Sequence, residues 1–336
     1  LSTLPTDYQK VPILNEDYYI GIDVGGSKIL ALVANGNGVI LSSATRKTPS
    51  QDKAESLIEA MAMTAREAAS LADIEMVGIS AVGVAAAGAV DPDNGTIVFS
   101  PHLPSMDTTP VGAMLSSELQ RKTFMGNDAN LAALGEQHFG AGQDVSNFIF
   151  ITISTGIGGG IVLDGNLCTG NSGFAGEIGH MTVDANGPYG VSTTPGAWES
   201  LCSGSALVRI AKESIAKGSV TSLTETDETG IRNEITAKEI FLAARSGDNL
   251  ANEIIAEATK YLGTGLTSIV NLLSPERIII GGGLANEWDS YISPAINLMR
   301  DQSYARIGYS VDIIPAALGP NAGALGAIVL ASHTIQ

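Results

Sequence analysis

The chain has 336 residues, 44% hydrophobic and 16% charged, with 39 glycines and a formal net charge of −17. Its length exceeds the size at which one hydrophobic core stops growing, so two domains or a duplicated architecture are expected, and the composition excludes a disordered chain. An acidic surface repels phosphate backbones and anionic lipid, which disfavours nucleic acid and membranes as partners; a phosphorylated ligand stays open where backbone N–H groups and a metal cation act locally.

The first twenty residues, "LSTLPTDYQKVPILNEDYYI", lack the basic start and unbroken apolar core of a signal peptide. No uncharged apolar run is long enough to cross a bilayer, so a cytoplasmic protein is expected. "DYYIGIDVGGSKILALVANGNGVILSSATRKT" predicts strand, glycine turn, strand, "NGNG" turn and a third strand. Residues 52 to 72 carry apolar positions at helical spacing behind an acidic start. "EMVGISAVGVAAAGAVD" is a further buried strand, and "TAKEIFLAARSGD" and "ANEIIAEATKYLGTGLTSIVNLL" are later helices; strands alternating with helices argue for an α/β fold. "YIGIDVGGSKILALVANGNGVI" and "FIFITISTGIGGGIVLDGNL" share one plan of apolar strand, polar-glycine turn, apolar strand and Asn/Gly turn, a faint internal duplication. Two such units facing one another would make a cleft lined by two glycine turns, where a polyphosphate could lie.

In "DVGGSK", Gly25 and Gly26 let the main chain approach a ligand and present N–H donors, while Ser27 and Lys28 add a hydroxyl and a cation. Asp23 is suited to hold Mg²⁺ through water, because that ion keeps part of its hydration shell. "STGIGGG", residues 154 to 160, supplies the second turn with Thr155 as an extra donor, and "IIIGGGLAN" at 278 to 286 is a third. None matches GxxxxGK[ST], and a dinucleotide fingerprint begun at Gly156 fails at Ile161. Each turn alone reads as a tight hairpin; the three together favour a nucleotide cleft. "FMGNDANLAALGEQHFG" puts Asn127 and Asp128 before a helix starting near Ala129. Asp128 reads as an N-cap or as a carboxylate able to take a proton from an alcohol during phosphoryl transfer. Cys168 and Cys202 form no CxxC pair, and both are expected to be buried reduced thiols.

The ordered series "GIDVGGSKI", "GVAAAGAVDPDNGTI", "GNDANLAALGE", "ISTGIGGGIVLDG", "GFAGEIGHMTV" and "IIIGGGLA" resembles the ROK sugar kinases and repressors of the actin-like ATPase superfamily, from about Tyr19 to "LGPNAGALGAIVLA". The resemblance implies two actin-like (ribonuclease H-like) α/β domains with a nucleotide and sugar cleft between them: a small domain at 1–124, completed by a C-terminal helix at 318–336, and a larger one at 125–317. It implies Asp128 as general base, Asn127 and Gly88 at the sugar, and Glu177, His180 and Glu199 on sugar hydroxyls. It places Asp23 to Lys28 and Thr155, Gly156, Ile157 and Gly158 around the phosphates, and Gly281, Gly282, Gly283 and Leu284 on the nucleoside side. ATP and Mg²⁺ are the implied cofactors.

The family pattern carries a zinc-binding set of three cysteines before the residue matching Glu199, with the histidine matching His180. Here "YGVSTTPGAWE" stands in that place, with no thiolate and no imidazole among Tyr189, Val191, Ser192 and Thr193, so no zinc site is expected. Glu177 and His180 are three apart and share one face if the segment is helical or tightly turned. Pro188, Pro195 and Trp198 would restrain the loop by stiffness and packing. Without the resemblance, His180 reads as a buried, hydrogen-bonded histidine and Glu199 as a helix N-terminal acid.

The expected activity is therefore transfer of the γ-phosphoryl of MgATP to the 6-hydroxyl of a hexose, glucose first, with N-acetylmannosamine or N-acetylglucosamine as alternative acceptors. A sugar-responsive regulator is the reading from another class; it needs a helix-turn-helix domain, and about twenty residues before the first strand are too few for one. A sugar-binding pseudokinase is the third. A homodimer is expected as the commonest soluble oligomer.

Overall fold

The computed structural model describes residues 17–49, 53–190, 194–224 and 234–335. In chain order the strands and helices begin with β1 (Tyr18–Val24), β2 (Lys28–Asn35), β3 (Ile40–Lys47), α1 (Ala54–Leu71), β4 (Ile79–Ala86), β5 (Ala89–Asp91) and β6 (Thr96–Phe99). There follow α2 (Val111–Leu119), β7 (Thr123–Asn127), α3 (Asp128–Phe139), β8 (Phe148–Ile153), β9 (Ile157–Leu163), β10 (Asn166–Leu167), α4 (Trp198–Cys202) and α5 (Gly204–Ala216). The chain closes with α6 (Ala237–Arg245), α7 (Asn249–Leu273), β11 (Arg277–Gly281), α8 (Ser293–Gln302), β12 (Asp312–Pro315) and α9 (Ala322–Ile335). Every strand and helix read from the sequence in chain order is present, and the protein is an α/β fold built on two mixed sheets. No helix among the described residues is long and apolar enough to cross a membrane.

The two five-stranded sheets follow one plan. The first runs β3-β2-β1-β4-β7 and the second β10-β9-β8-β11-β12. In each, the first hairpin of the duplicated sequence pattern supplies the centre: β1 with β2 in one, β8 with β9 in the other. β1 pairs antiparallel with β2 and parallel with β4, so the sheet combines a meander with crossover strands.

Two compact units result, one of Leu1–Phe150 (as far as described), Gly159–Gly176 and Ala316–Gln336, the other of Ile151–Gly158 and Glu177–Pro315. In the first unit the period of two decides which helix each strand residue meets. Ile20, Ile22 and Val24 of β1, with Ile29, Ala31 and Val33 of β2, share a core with Leu57, Met61 and Ala65 of α1. Tyr19, Leu30, Leu32 and Ala34 share another with Ala324, Leu325 and Ile328 of α9. Gly21 and Gly83 stand opposite each other on β1 and β4. A Cβ on Gly21 would lie 1.9 Å from the Ala324 carbonyl oxygen, and one on Gly83 1.8 Å from that of Ala327. The glycine pair is therefore a trough in which the α9 backbone rests on the sheet.

The same closeness governs the crossing of α3 and α9. A Cβ on Gly326 would lie 1.6 Å from the Leu131 carbonyl oxygen, and one on Gly135 2.5 Å from that of Ala322. The carboxylate of the buried Glu136 accepts N–H groups of Ala141, Ala317 and Leu318 at 2.7, 3.2 and 2.9 Å, tying the end of α3 to the approach to α9. The resemblance implies a boundary at 124/125; α3 falls within the first unit, where α9 packs on it.

Candidate active site

Asp23 ends the row of β1 residues that faces α9, directly above Gly323, where a Cβ would lie 2.8 Å from Asp23 Oδ2. Burial raises its carboxyl from 3.8 to about 7; the negative charge of Asp128 pushes in the same direction and the Lys28 ammonium opposes both. β7 delivers its terminal residue, Asn127, as the cap of α3: Asn127 Oδ1 accepts the Asn130 N–H at 3.0 Å, and its Nδ2 donates to the Gly88 carbonyl at 3.0 Å. This corrects the capping alternative for Asp128. The cap is Asn127, and Asp128 is the first helical residue, its Oδ1 accepting the Ala129 N–H at 2.9 Å. Gly88 is held at φ +111°, with Phe99 carbonyl oxygen 2.5 Å from where a Cβ would be. Asp23, Gly88, Asn127 and Asp128 thus form one group in the first unit.

The "DVGGSK" turn behaves differently from the expectation at one position. The Gly25 N–H closes the hairpin onto the Lys28 carbonyl at 3.1 Å and so is not a ligand donor. The Gly25 carbonyl accepts the Thr48 hydroxyl at 2.7 Å. Gly26, Ser27 and Lys28 are exposed. Neither glycine adopts a positive φ, and a Cβ on Gly25 would meet nothing within 4 Å, so the fold itself does not require glycine there.

In the second unit, the turn Ser154–Gly156 joins β8 to β9. It closes on itself through Ser154 N–H to the Gly156 carbonyl at 2.9 Å. The first N–H groups of α5 hold it from outside, Gly204 to Ser154 O at 2.8 Å and Ser205 to Thr155 O at 3.1 Å. Ser154 and Thr155 border a cavity of about 980 Å³, which Gly283 and Leu284 also line. Gly281 is the buried end of β11, and Gly282, at φ +86°, has the Ile153 carbonyl oxygen 2.4 Å from its missing Cβ; neither lines the cavity, and both shape the turn that brings Gly283 there. Ile157 has a buried side chain and Gly158 is half-buried.

The rest of the cavity wall escaped the sequence reading. Val208, Arg209 and Lys212 come from α5, and Lys238, Phe241 and Arg245 from α6. Their spacings, 208/212 and 238/241/245, each mark one helical face, a signal present in the sequence but without an indicated partner. Arg209 pairs with Glu213 at 2.8 Å and Arg245 with Glu287 at 2.7 Å. The cavity therefore combines apolar surface from Phe241 and Leu284 with cationic groups, in a chain whose overall charge is negative.

Glu177 precedes a short 3-10 turn, Ile178–His180, which brings His180 Nε2 to 3.6 Å from Glu177 Oε2. The shared face expected from the three-residue spacing is present. Burial among its neighbours raises the Glu177 carboxyl above its ordinary value, His180 lowers it, and Glu199 raises it. His180 Nδ1 is buried with no hydrogen-bond partner among the described residues, a polar atom suited to a ligand hydroxyl. Trp198 N–H donates to the Met181 carbonyl at 2.8 Å, so the strands of the loop before Glu199 and after His180 run side by side. The Trp198 indole is fully buried, donates to the Tyr261 carbonyl at 3.0 Å and covers Gly265, where a Cβ would lie 2.1 Å from its ring. Trp198 supplies the packing restraint expected of it.

Tyr189 bridges to Pro195, while the expectations concerning Val191, Ser192 and Thr193 lie outside the described residues. No group of three candidate metal-ligating side chains occurs among the described residues. Cys202 is buried and its thiol donates to the Trp198 carbonyl at 3.2 Å; Cys168, expected to be buried, is only partly so.

The ROK family profile matches residues 19–334. The chain is 35% identical over 321 residues to a glucokinase of Streptomyces coelicolor, covering 93% of this chain and 96% of that one. It is 31% identical over 316 residues to a glucokinase of Thermotoga maritima, covering 94% and 98%. Among solved structures it superposes, with a TM-score of 0.79 and 33% identity, on a ROK family glucokinase from Streptomyces griseus in complex with glucose and AMPPNP, over 94% of this chain and 99% of that one.

Proposed function

The chain belongs to the ROK family, and from that premise we propose that it is an ATP-dependent kinase that phosphorylates the 6-hydroxyl of a hexose, glucose being the first candidate. The observation that carries the proposal is the acid pair of the first unit. Asp23 is raised to about 7 by burial and by the charge of Asp128, an arrangement costly to folding and useful to chemistry.

Asp128 is assigned as the general base. It takes the proton of the sugar hydroxyl as the new O–P bond forms and the bond from the γ-phosphorus to the leaving nucleotide oxygen breaks. Asn127, with its carbonyl committed to the cap and one amide N–H to Gly88, keeps its second amide N–H for the sugar. Glu177, His180 and Glu199 take further hydroxyls; the buried Nδ1 of His180 fits that role.

For the nucleotide, the cavity of about 980 Å³ has the size of small-molecule sites, roughly 300–1,000 Å³. Gly283, Leu284 and Phe241 are assigned to the nucleoside and Thr155 with its turn to the phosphates; Gly26, Ser27 and Lys28 of the first unit are likewise assigned to phosphate contacts. Mg²⁺ fits the acid pair, because a cation offsets the burial that raises Asp23 and, second to it, the charge of Asp128, and Asp23 would hold it through water. When bound, it would neutralise charge on the phosphates. Water is the competing acceptor, so the bound hexose must also exclude it.

The test is a coupled assay of ADP release with MgATP against glucose, mannose, fructose, N-acetylglucosamine and N-acetylmannosamine. Turnover confined to one or two of these, with phosphate found on the 6-hydroxyl, is expected; binding of a sugar without turnover of any would refute the kinase reading and leave a sensor.

A further inference from the structure

Glu199 does more than face a sugar. Its Oε2 accepts the Ile157 N–H at 2.9 Å, inside the turn assigned to the phosphates. Gly156 is glycine for the same reason: a Cβ there would lie 2.1 Å from that carboxylate oxygen. Gly156 has no positive φ, so the carboxylate and not the backbone conformation excludes a side chain. Three further contacts bind the turn to the same scaffold. α4, which carries Glu199, passes through Ser203 directly into α5, whose first two N–H groups donate to Ser154 O and Thr155 O. On the opposite flank, Gly179, between Glu177 and His180, lies against the Ile157 carbonyl, 2.1 Å from its missing Cβ. The turn 154–157 is thus gripped by the two segments that carry Glu177, His180 and Glu199.

We propose that Glu199 is a positioning residue for the phosphate turn, so that hexose binding at its carboxylate and nucleotide binding at residues 154–157 are coupled, each ligand tightening the other. A hydroxyl donating to the remaining oxygen of Glu199 fixes the carboxylate, which fixes the Ile157 N–H and with it the turn. The cost of ordering is then met once for both ligands, and the coupling is reciprocal. This inference rests on the kinase reading for the identity of the two ligands.

The experiment is calorimetric titration of the whole protein with glucose and with Mg-AMPPNP, each alone and in the presence of the other. The parent is expected to bind glucose about tenfold tighter when the analogue is saturating, within the usual range of coupling. Gly156→Ala replaces no sugar-facing residue, but its Cβ displaces the Glu199 carboxylate from the turn, and it is expected to weaken glucose binding at least about fivefold with no nucleotide present. Glu199→Ala is expected to weaken analogue binding with no sugar present, whereas His180→Gln, also at the sugar but not bonded to the turn, leaves analogue binding alone unchanged. Parental glucose affinity in folded Gly156→Ala, or parental analogue affinity in Glu199→Ala, would overturn the inference while leaving the kinase reading standing. Should Gly156→Ala not fold, the Glu199→Ala measurement decides by itself. Failure of the parent to bind any hexose would instead overturn the reading on which the inference rests.

Discussion

Asp23 shows how a single carboxylate can cost stability near neutral pH. Its folded pKa of about 7 stands above its ordinary value of 3.8, so the native state holds a proton that the unfolded chain releases. Stability from this group is complete below about pH 4 and is lost as pH rises to about 7. Asp23→Asn is therefore expected to stabilise the ligand-free protein at pH 8 by on the order of 1–3 kcal/mol and to flatten the fall in melting temperature between pH 5 and 7.5. It should abolish turnover at the same time. Equal slopes for parent and variant would show that the carboxyl is not held protonated. At this scale the sequence was informative about residue type and less so about neighbours. Asn127 and Asp128 are both natural capping residues, and only the strand geometry of β7 decides that Asn127 takes the cap. Likewise nothing in "DVGGSK" reveals that the Gly25 N–H closes the hairpin.

Among the elements, strands as apolar runs between glycine turns and helices with apolar positions at helical spacing were legible, because local burial generates those patterns. The packing role of several glycines was not. The sequence directs attention to glycines in turns, yet Gly21, Gly83, Gly135 and Gly326 lie within strands and helices and serve the approach of α9. Their partners sit up to three hundred positions away, beyond any local signal. Gly83→Ala must displace the α9 backbone and is expected to destabilise the protein by about 3 kcal/mol, the upper part of the usual overpacking cost. Because α9 also carries Gly323 beneath Asp23, activity in that variant should fall more than the loss of folded protein explains. Chemical denaturation read alongside the rate per folded molecule checks both; an unchanged midpoint would mean that α9 is not seated in the glycine trough. That residues 187 to 199 hold no cysteine is plain in the sequence, whereas the packing of Trp198 on Gly265 became visible only with α7 in place.

For the whole molecule, the two strand-turn-strand segments that share one plan in the sequence occupy matching places, β1 with β2 and β8 with β9, in two sheets of the same strand order. The composition of the units was harder to read, since each is assembled from separate stretches of chain and a linear boundary cannot express that. The strongly acidic balance is locally offset at the cavity of the second unit, where Arg209, Lys212, Lys238 and Arg245 stand among Glu213, Glu234 and Glu287, which lessens the repulsion of an anionic ligand there. The central claim is that Asp128 deprotonates a hexose hydroxyl during phosphoryl transfer. It is tested most directly by the rate of sugar phosphate formation in Asp128→Asn at saturating hexose and MgATP, with circular dichroism and sugar titration on the same sample. The mechanism predicts a loss of roughly 10²–10⁴ in kcat with fold and sugar binding retained; phosphorylation at the parental rate would contradict it.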